Sequence, residues 1–226
     1  MTKKKKRVII CAAALAAGVS FCAGAYICMN RYDAGDYVQA VLDVSYKGIP
    51  DAYMEITDIS EKEAEEIFED NLDAAMKEFE SEELPENLQP RYRELFGELA
   101  RNVSYTVEEP HKEKDGNYTV NVQVKPICLF ADTYDTFEEK AREYAEEVTD
   151  SVMKGGQMPT DEEMQGHVYE IYYDVLREAM DKGSLYGEVR DVTIHVQKTG
   201  MRSFKADEDD MDLLDSLLIE VSQTDN

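Results

Sequence analysis

Apolar positions along this chain repeat first every three or four residues, then every second residue, and the cycle runs twice. A short helix is predicted where Tyr37, Val41 and Val44 share one face, with Asp36 as its cap and Gly48 and Pro50 as its end. A second helix follows Ser60, which forms a capping-box pattern with Glu63. Its apolar set, from Ala64 through Ile67, Phe68, Leu72, Ala75 and Met76 to Phe79, keeps helical spacing for over four turns. After Leu84-Pro85, a third helix is predicted from Glu86 to Arg101, with Leu88, Tyr92, Leu95, Phe96 and Leu99 inward. Pro90 falls in its first turn, where a missing amide proton costs little.

The period then drops to two. Tyr105 and Val107 alternate with polar residues, as do Tyr118, Val120, Val122 and Val124, and Asp115-Gly116 supplies a turn inside the charged connection from Glu108 to Asn117. This predicts a β-hairpin with one buried face. Helical spacing returns from Thr133 to Met153, through Phe137, Ala141, Tyr144, Ala145, Val148 and Val152. After Gly155-Gly156 and Pro159 it resumes through Met164, Val168, Ile171, Tyr172, Val175, Leu176 and Ala179 to a closing Gly183. Alternation recurs at Val192, Ile194 and Val196, with Thr199-Gly200 as a turn before a strand from Met201 to Lys205. The acidic run Asp207 to Asp212 then leads into Leu213, Leu214, Leu217, Leu218 and Val221, a final helix or strand, and a frayed tail from Ser222. Helices, hairpin, helices and a second strand pair fit an α+β class, with helices packed on a small antiparallel sheet.

The segment ahead of these elements changes the picture. Lys3, Lys4, Lys5, Lys6 and Arg7 precede 22 uncharged residues, Val8 to Met29. About 20 apolar residues suffice to cross a bilayer as a helix, and basic residues before them hold that end in the cytoplasm. The expected organisation is a basic leader (1–7), a transmembrane signal-anchor (8–29), an extracytoplasmic domain (30–221) and a tail (222–226). One alternative is a secreted protein, cut after Ala23-Gly24-Ala25. Another is a lipid-anchored one, although Phe21, Ile27 and Ile10 stand before Cys22, Cys28 and Cys11 where a lipobox needs a small residue.

Removing the five basic residues of the leader from the 24 leaves 19, against 49 acidic residues, so the part beyond the anchor carries a formal charge of −30. Such a surface repels nucleic acid and anionic headgroups, and no nucleic-acid partner is expected. Of four cysteines, only Cys128 lies in the domain, which excludes an internal disulfide and zinc sites built on paired cysteines.

The basic leader together with "YVQAVLDVSYKG" and "GNYTVNVQVKP" is similar to uncharacterised, membrane-attached extracytoplasmic proteins of Gram-positive bacteria. The three-helix start followed by an alternating sheet resembles the cone-shaped domain of nuclear-transport-factor-like proteins. The resemblance spans Asp36 to Lys205; it implies a cone-like fold and no activity that maps onto named residues, and the helical insertion from Thr133 to Gly183 exceeds what a simple cone requires.

Motifs of the common enzyme classes are missing: no G-x-x-x-x-G-K-[ST], no G-x-G-x-x-G after a strand, no H-E-x-x-H, no G-x-S-x-G. His111, His167 and His195 have no second histidine at metal-ligand spacing, and the acidic run at Asp207 lacks the glycine of a calcium loop. No catalytic, cofactor or metal residue is therefore assigned, and no cofactor is expected. Fourteen tyrosines remain. Tyr169, Tyr172 and Tyr173 on the fifth predicted helix, with Tyr118, Val120, Val122 and Val124 on the strand, are candidate lining for a pocket between helix and sheet; core tyrosines with surface hydroxyls explain the same residues. The expected function is a non-catalytic, membrane-tethered extracytoplasmic domain that binds a protein or small ligand at the cell envelope, and the alternative is a cone-fold enzyme with an acidic pair in its cavity.

Overall fold

A computed structural model describes residues 32–79, 84–183, 186–200 and 203–220. The proposed anchor (8–29), Val221 and the proposed tail (222–226) lie outside the described residues. Among the described residues no helix is long and apolar enough to cross a membrane. Among the described residues seven helices pack on a curled antiparallel sheet, so the class is α+β.

Helix α1, Ala34–Leu42, is capped by Asp33 rather than Asp36. The Asp33 carboxylate accepts from the Gly35 and Asp36 amides at 2.8 and 3.0 Å, while Asp36, at the third helical position, reaches back to the Asp33 amide at 2.9 Å. The sequence offered two aspartates three apart, and the reciprocal box uses both. The helix runs on as a π turn, Asp43–Lys47, and stops at Gly48, whose φ of 63° suits glycine. With Ala34, Val38, Ala40 and Leu42 at 0% exposure, α1 is buried nearly all round, beyond the one-faced burial its spacing predicts. Helix α2, Asp51–Thr57, is too short to leave a period in the sequence.

Helix α3, Glu61–Phe79, starts from the predicted box: the Ser60 amide and hydroxyl reach Glu63 at 2.9 and 2.7 Å. Helix α4 covers Gln89–Arg101, three residues shorter than predicted, because a turn tied by the Leu88 amide to the Pro85 carbonyl (2.9 Å) precedes it. Strands β1 (Ser104–Val107) and β3 (Tyr118–Lys125) pair with Tyr105 opposite Val124 and Val107 opposite Val122. The charged connection holds a further strand, β2 (His111–Lys112), also on β3, and turns at Asp115-Gly116.

Helix α5, Leu129–Met153, begins four residues before the predicted start, and α6 spans Asp161–Lys182 with a Thr160/Glu163 capping box and Gly183 as its left-handed cap. Strands β4 (Arg190–Lys198) and β5 (Phe204–Ala206) complete the order β1-β3-β4-β5, and α7 is Glu208–Leu218. The inner face carries Val120, Val122, Val124, Val192, Ile194 and Val196, each at 3% exposure or less. Burying each such side chain is worth about 1.5–3 kcal/mol. Residues from α1 through the bridge at Ile219 belong to one hydrophobic cluster. Helix α7 is tied down at both ends: the Asp207 amide donates to the His195 carbonyl, and the Ile127 amide to the Leu218 carbonyl, each at 2.8 Å.

Candidate functional site

Strand register decides where the polar residues gather. Tyr118 pairs with Val196, and Val196 in turn with Ala206. The turn before β3 and the segment between β5 and α7 therefore meet at one end of the sheet. There they enclose a cleft of about 480 Å³, inside the usual range for small-ligand sites. Its walls hold Glu113, Asp115, Asp207, Glu208 and Asp209, with Lys205 as the one lysine, besides His195, Asn117 and Tyr118.

Each wall is fixed by local chemistry. Asp115 accepts from the Asn117 amide at 3.0 Å in an Asx turn, which allows Gly116 its φ of 95° and holds the Asp115 carboxyl below its ordinary proton affinity. Asn117 then accepts from the Lys198 amide at 3.1 Å, locking the turn to β4. On the other wall Asp207 caps α7, accepting from Asp209 and Asp210 amides at 3.1 and 3.4 Å. Lys205 pairs with Glu208 at 3.0 Å.

His195 stands on the polar face of β4 beside Thr193 and Gln197, as alternation predicts. One oxygen of Asp210 accepts from both its backbone amide and its ring Nδ1, each at 2.7 Å. A carboxylate only accepts, so Nδ1 carries a proton and Nε2 is the ring atom left for a ligand. The acidic run thus caps a helix and orients a histidine, and among the described residues no group of side chains has the arrangement of a metal centre.

The structure distributes the candidate lining residues among three places. Tyr118 lines the cleft. Val120, Val122 and Val124 are at 0% exposure in the core under α1. Tyr169, Tyr172 and Tyr173 sit among the helices: the Tyr92 hydroxyl donates to the Tyr169 carbonyl at 2.7 Å, Tyr173 stacks edge-on against Tyr92, and Tyr172 meets Phe137. Burial raises the proton affinity of Tyr92, so its hydroxyl serves as a structural donor.

Two titratable groups lie elsewhere. Asp215 on α7 is 2% exposed, its Oδ1 has no hydrogen-bond partner, and burial pushes its carboxyl up to about 8. It does not line the cleft. Cys128 lies 3.4 Å from Glu220, and burial first, then that carboxylate, push its thiol up to about 11. A Cβ on Gly187 would come within 2.6 Å of its sulfur, so a side chain there would force the Cys128 thiol to turn aside.

Sequence reasoning saw the Asp115-Gly116 turn and the acidic run separately and missed that they face each other. No signal within either segment joins them; the link is the pairing of β3, β4 and β5, a long-range fact.

No family model and no curated protein matches the chain. In the comparison with solved structures, the fold is similar to the crystal structure of a putative lipoprotein (ycdA) from Bacillus subtilis, with a TM-score of 0.56 and 18% identity; the match covers 83% of this chain and 56% of that one, so this chain spans little more than half the length of its structural neighbour.

Proposed function

We propose that the protein is an envelope-attached extracytoplasmic binding domain that works without catalysis, and that its acidic cleft receives a small cationic group such as an amine or lysine side chain. The observation that carries the binding reading is the cleft itself: five carboxylates against one lysine around about 480 Å³. That field draws in cations and turns away anions. The basic leader and the 22 uncharged residues after it support attachment. So does the likeness to a protein described as a lipoprotein, with a lipid anchor as the other form of tether. The amino terminus is then cytoplasmic and the domain outside. A cone-like enclosure by the sheet belongs to the same reading, but its inner face is filled by α1 side chains and the cleft lies at the sheet's end.

The enzyme alternative needs a carboxylate with raised proton affinity in a cavity. Asp215 has the raised affinity and stands in the core away from the cleft. This placement favours binding over acid-base chemistry.

Titration of the full-length chain with trilysine, followed by amide chemical shifts, tests the cleft. Shifts concentrated at Glu113, Asp115 and Asp207 to Asp209, lost in Asp115→Asn with Asp209→Asn, are expected; shifts spread evenly over the acidic surface would overturn the assignment. Attachment is tested apart from it. Protease added to intact, wall-stripped cells should digest the domain, and protection would contradict the topology.

A further inference from the structure

The two longest helices reach out from the rest of the domain. Helix α5 has 25 residues and α6 has 22, lengths of about 38 and 33 Å at 1.5 Å per residue, and they pack chiefly on each other. From residue 138 on α5 to residue 171 on α6 no side chain is buried. Ala141, Val168, Tyr169 and Ile171 still pack against the core, and beyond them the hairpin is held by its own seam, as where the Tyr144 and His167 rings lie 4.2 Å apart. Two helices cover one side of each apolar stripe and leave the rest open. Val148, Val152 and Met164 are half-buried, while Met153 is 80% and Met158 57% exposed at the tip.

Charge at the tip is arranged against the stability of the free arm. Between Glu143 and Glu163 the chain has seven acidic residues and one basic residue, Lys154. Asp161, Glu162 and Glu163 suit the positive end of α6. Glu146, Glu147 and Asp150 lie in the last turns of α5, at its negative end, and no basic residue in its final turn offsets them. Lys154 stands 3.6 Å from Asp150 with both side chains over 70% exposed, a contact of little worth. Open apolar residues and uncompensated carboxylates therefore share one surface.

We propose that the outer half of the α5–α6 hairpin docks a helix of a partner protein whose apolar stripe is flanked by lysines and arginines, completing a three-helix bundle. The apolar stripe of the partner covers Val148, Val152 and the tip methionines, which adapt their shape readily. Its cations meet the α5 carboxylates and the negative end of the helix. A second copy of this chain would bring the same seven carboxylates, and an anionic lipid surface is repelled by them. The surface is separate from the acidic cleft, so each proposal can fail alone.

The probe is a fluorescent Lys/Leu peptide of about 15 residues with leucines at helical spacing, and the control has the same composition in scrambled order. Anisotropy with the full-length chain should show binding of the patterned peptide at least about tenfold tighter than of the scrambled one. Met153→Ser with Met158→Ser, and separately Glu147→Lys with Asp150→Lys, should each weaken it by a similar factor, whereas the same charge reversal at Glu65 and Asp70 on α3, outside both the arm and the cleft, should not. All of these positions are exposed, and unchanged circular dichroism confirms folding. Equal binding of both peptides, or equal loss with the α3 variant, would overturn the proposal. So would self-association, or binding to phosphatidylglycerol vesicles, that the two methionine substitutions abolish.

Discussion

The sheet with its buried helix and the outer half of the α5–α6 hairpin use similar apolar residues to opposite ends. On β3, Val120, Val122 and Val124 are closed off by α1 on one side and neighbouring strands along both edges, and all are at 0% exposure. On the arm, Val148 and Val152 have one neighbouring helix and remain half open. A valine contributes its full burial energy only where several elements converge on it. The sheet region is thus complete as an isolated molecule, and the arm is a surface built short of completion. Function is sought where the chain leaves apolar and charged groups unsatisfied, and that is the arm and the cleft, not the core.

The sharpest way to break the contrast is to charge both regions. Val122→Asp places an unpaired carboxylate in the fully enclosed core and should cost at least about 4 kcal/mol, a large part of a typical domain's stability. Urea unfolding measures it. Asn121→Ala, facing the other way and losing a 3.4 Å hydrogen bond to Asp191, should cost under about 1 kcal/mol. If Asn121→Ala proved the more damaging, the inward face of β3 would be misassigned.

Asp215 sharpens the comparison from the α7 side. Its folded carboxyl titrates near 8, whereas an unfolded aspartate titrates at about 3.9. Over that window the folded state keeps a proton that the unfolded state has released. Stability from this group is therefore greatest at low pH and declines as pH rises towards 8, then levels off. Asp215→Asn removes the titration. Between pH 5 and pH 8.5 the stability of the variant relative to the parent should rise by about 4 kcal/mol. A parent-variant difference that does not change with pH would show that Asp215 is solvated.

Next in size is the arm. Val148→Asp should change global stability by less than about 1 kcal/mol, because the residue is already half open. A loss comparable with Val122→Asp would erase the distinction between the two regions. The smallest expected effect concerns Cys128. With its thiol near 11, iodoacetamide at pH 8 should alkylate it far more slowly than a free cysteine of ordinary pKa, about 8.5, and reducing agent should leave the melting temperature unchanged.

Legibility in the sequence followed the range of the interactions. The Ser60/Glu63 cap, the Val120 to Val124 alternation, the Asp115-Gly116 turn and the Gly183 stop were readable because each is decided within a few residues. The Asp33 cap was missed by three residues, since Asp33 and Asp36 both fit and only the reciprocal hydrogen bonds choose. Strand β2 has two residues and no period of its own. The cleft was unreadable because it needs the register of three strands, and the burial of α1 on nearly all sides because it depends on what surrounds it. The open state of the arm has the same origin: an apolar stripe at helical spacing reads alike whether one helix or three lie against it.

Hydrogen exchange on the free full-length chain tests the two-region account most directly. Amides at Val120, Val122 and Val124 should exchange only by global unfolding, while those from residue 144 to residue 164 should exchange by local opening, at least about a hundredfold faster. Equal, slow exchange in both stretches would contradict it, because the arm would then be as complete as the sheet and would have no need of a partner.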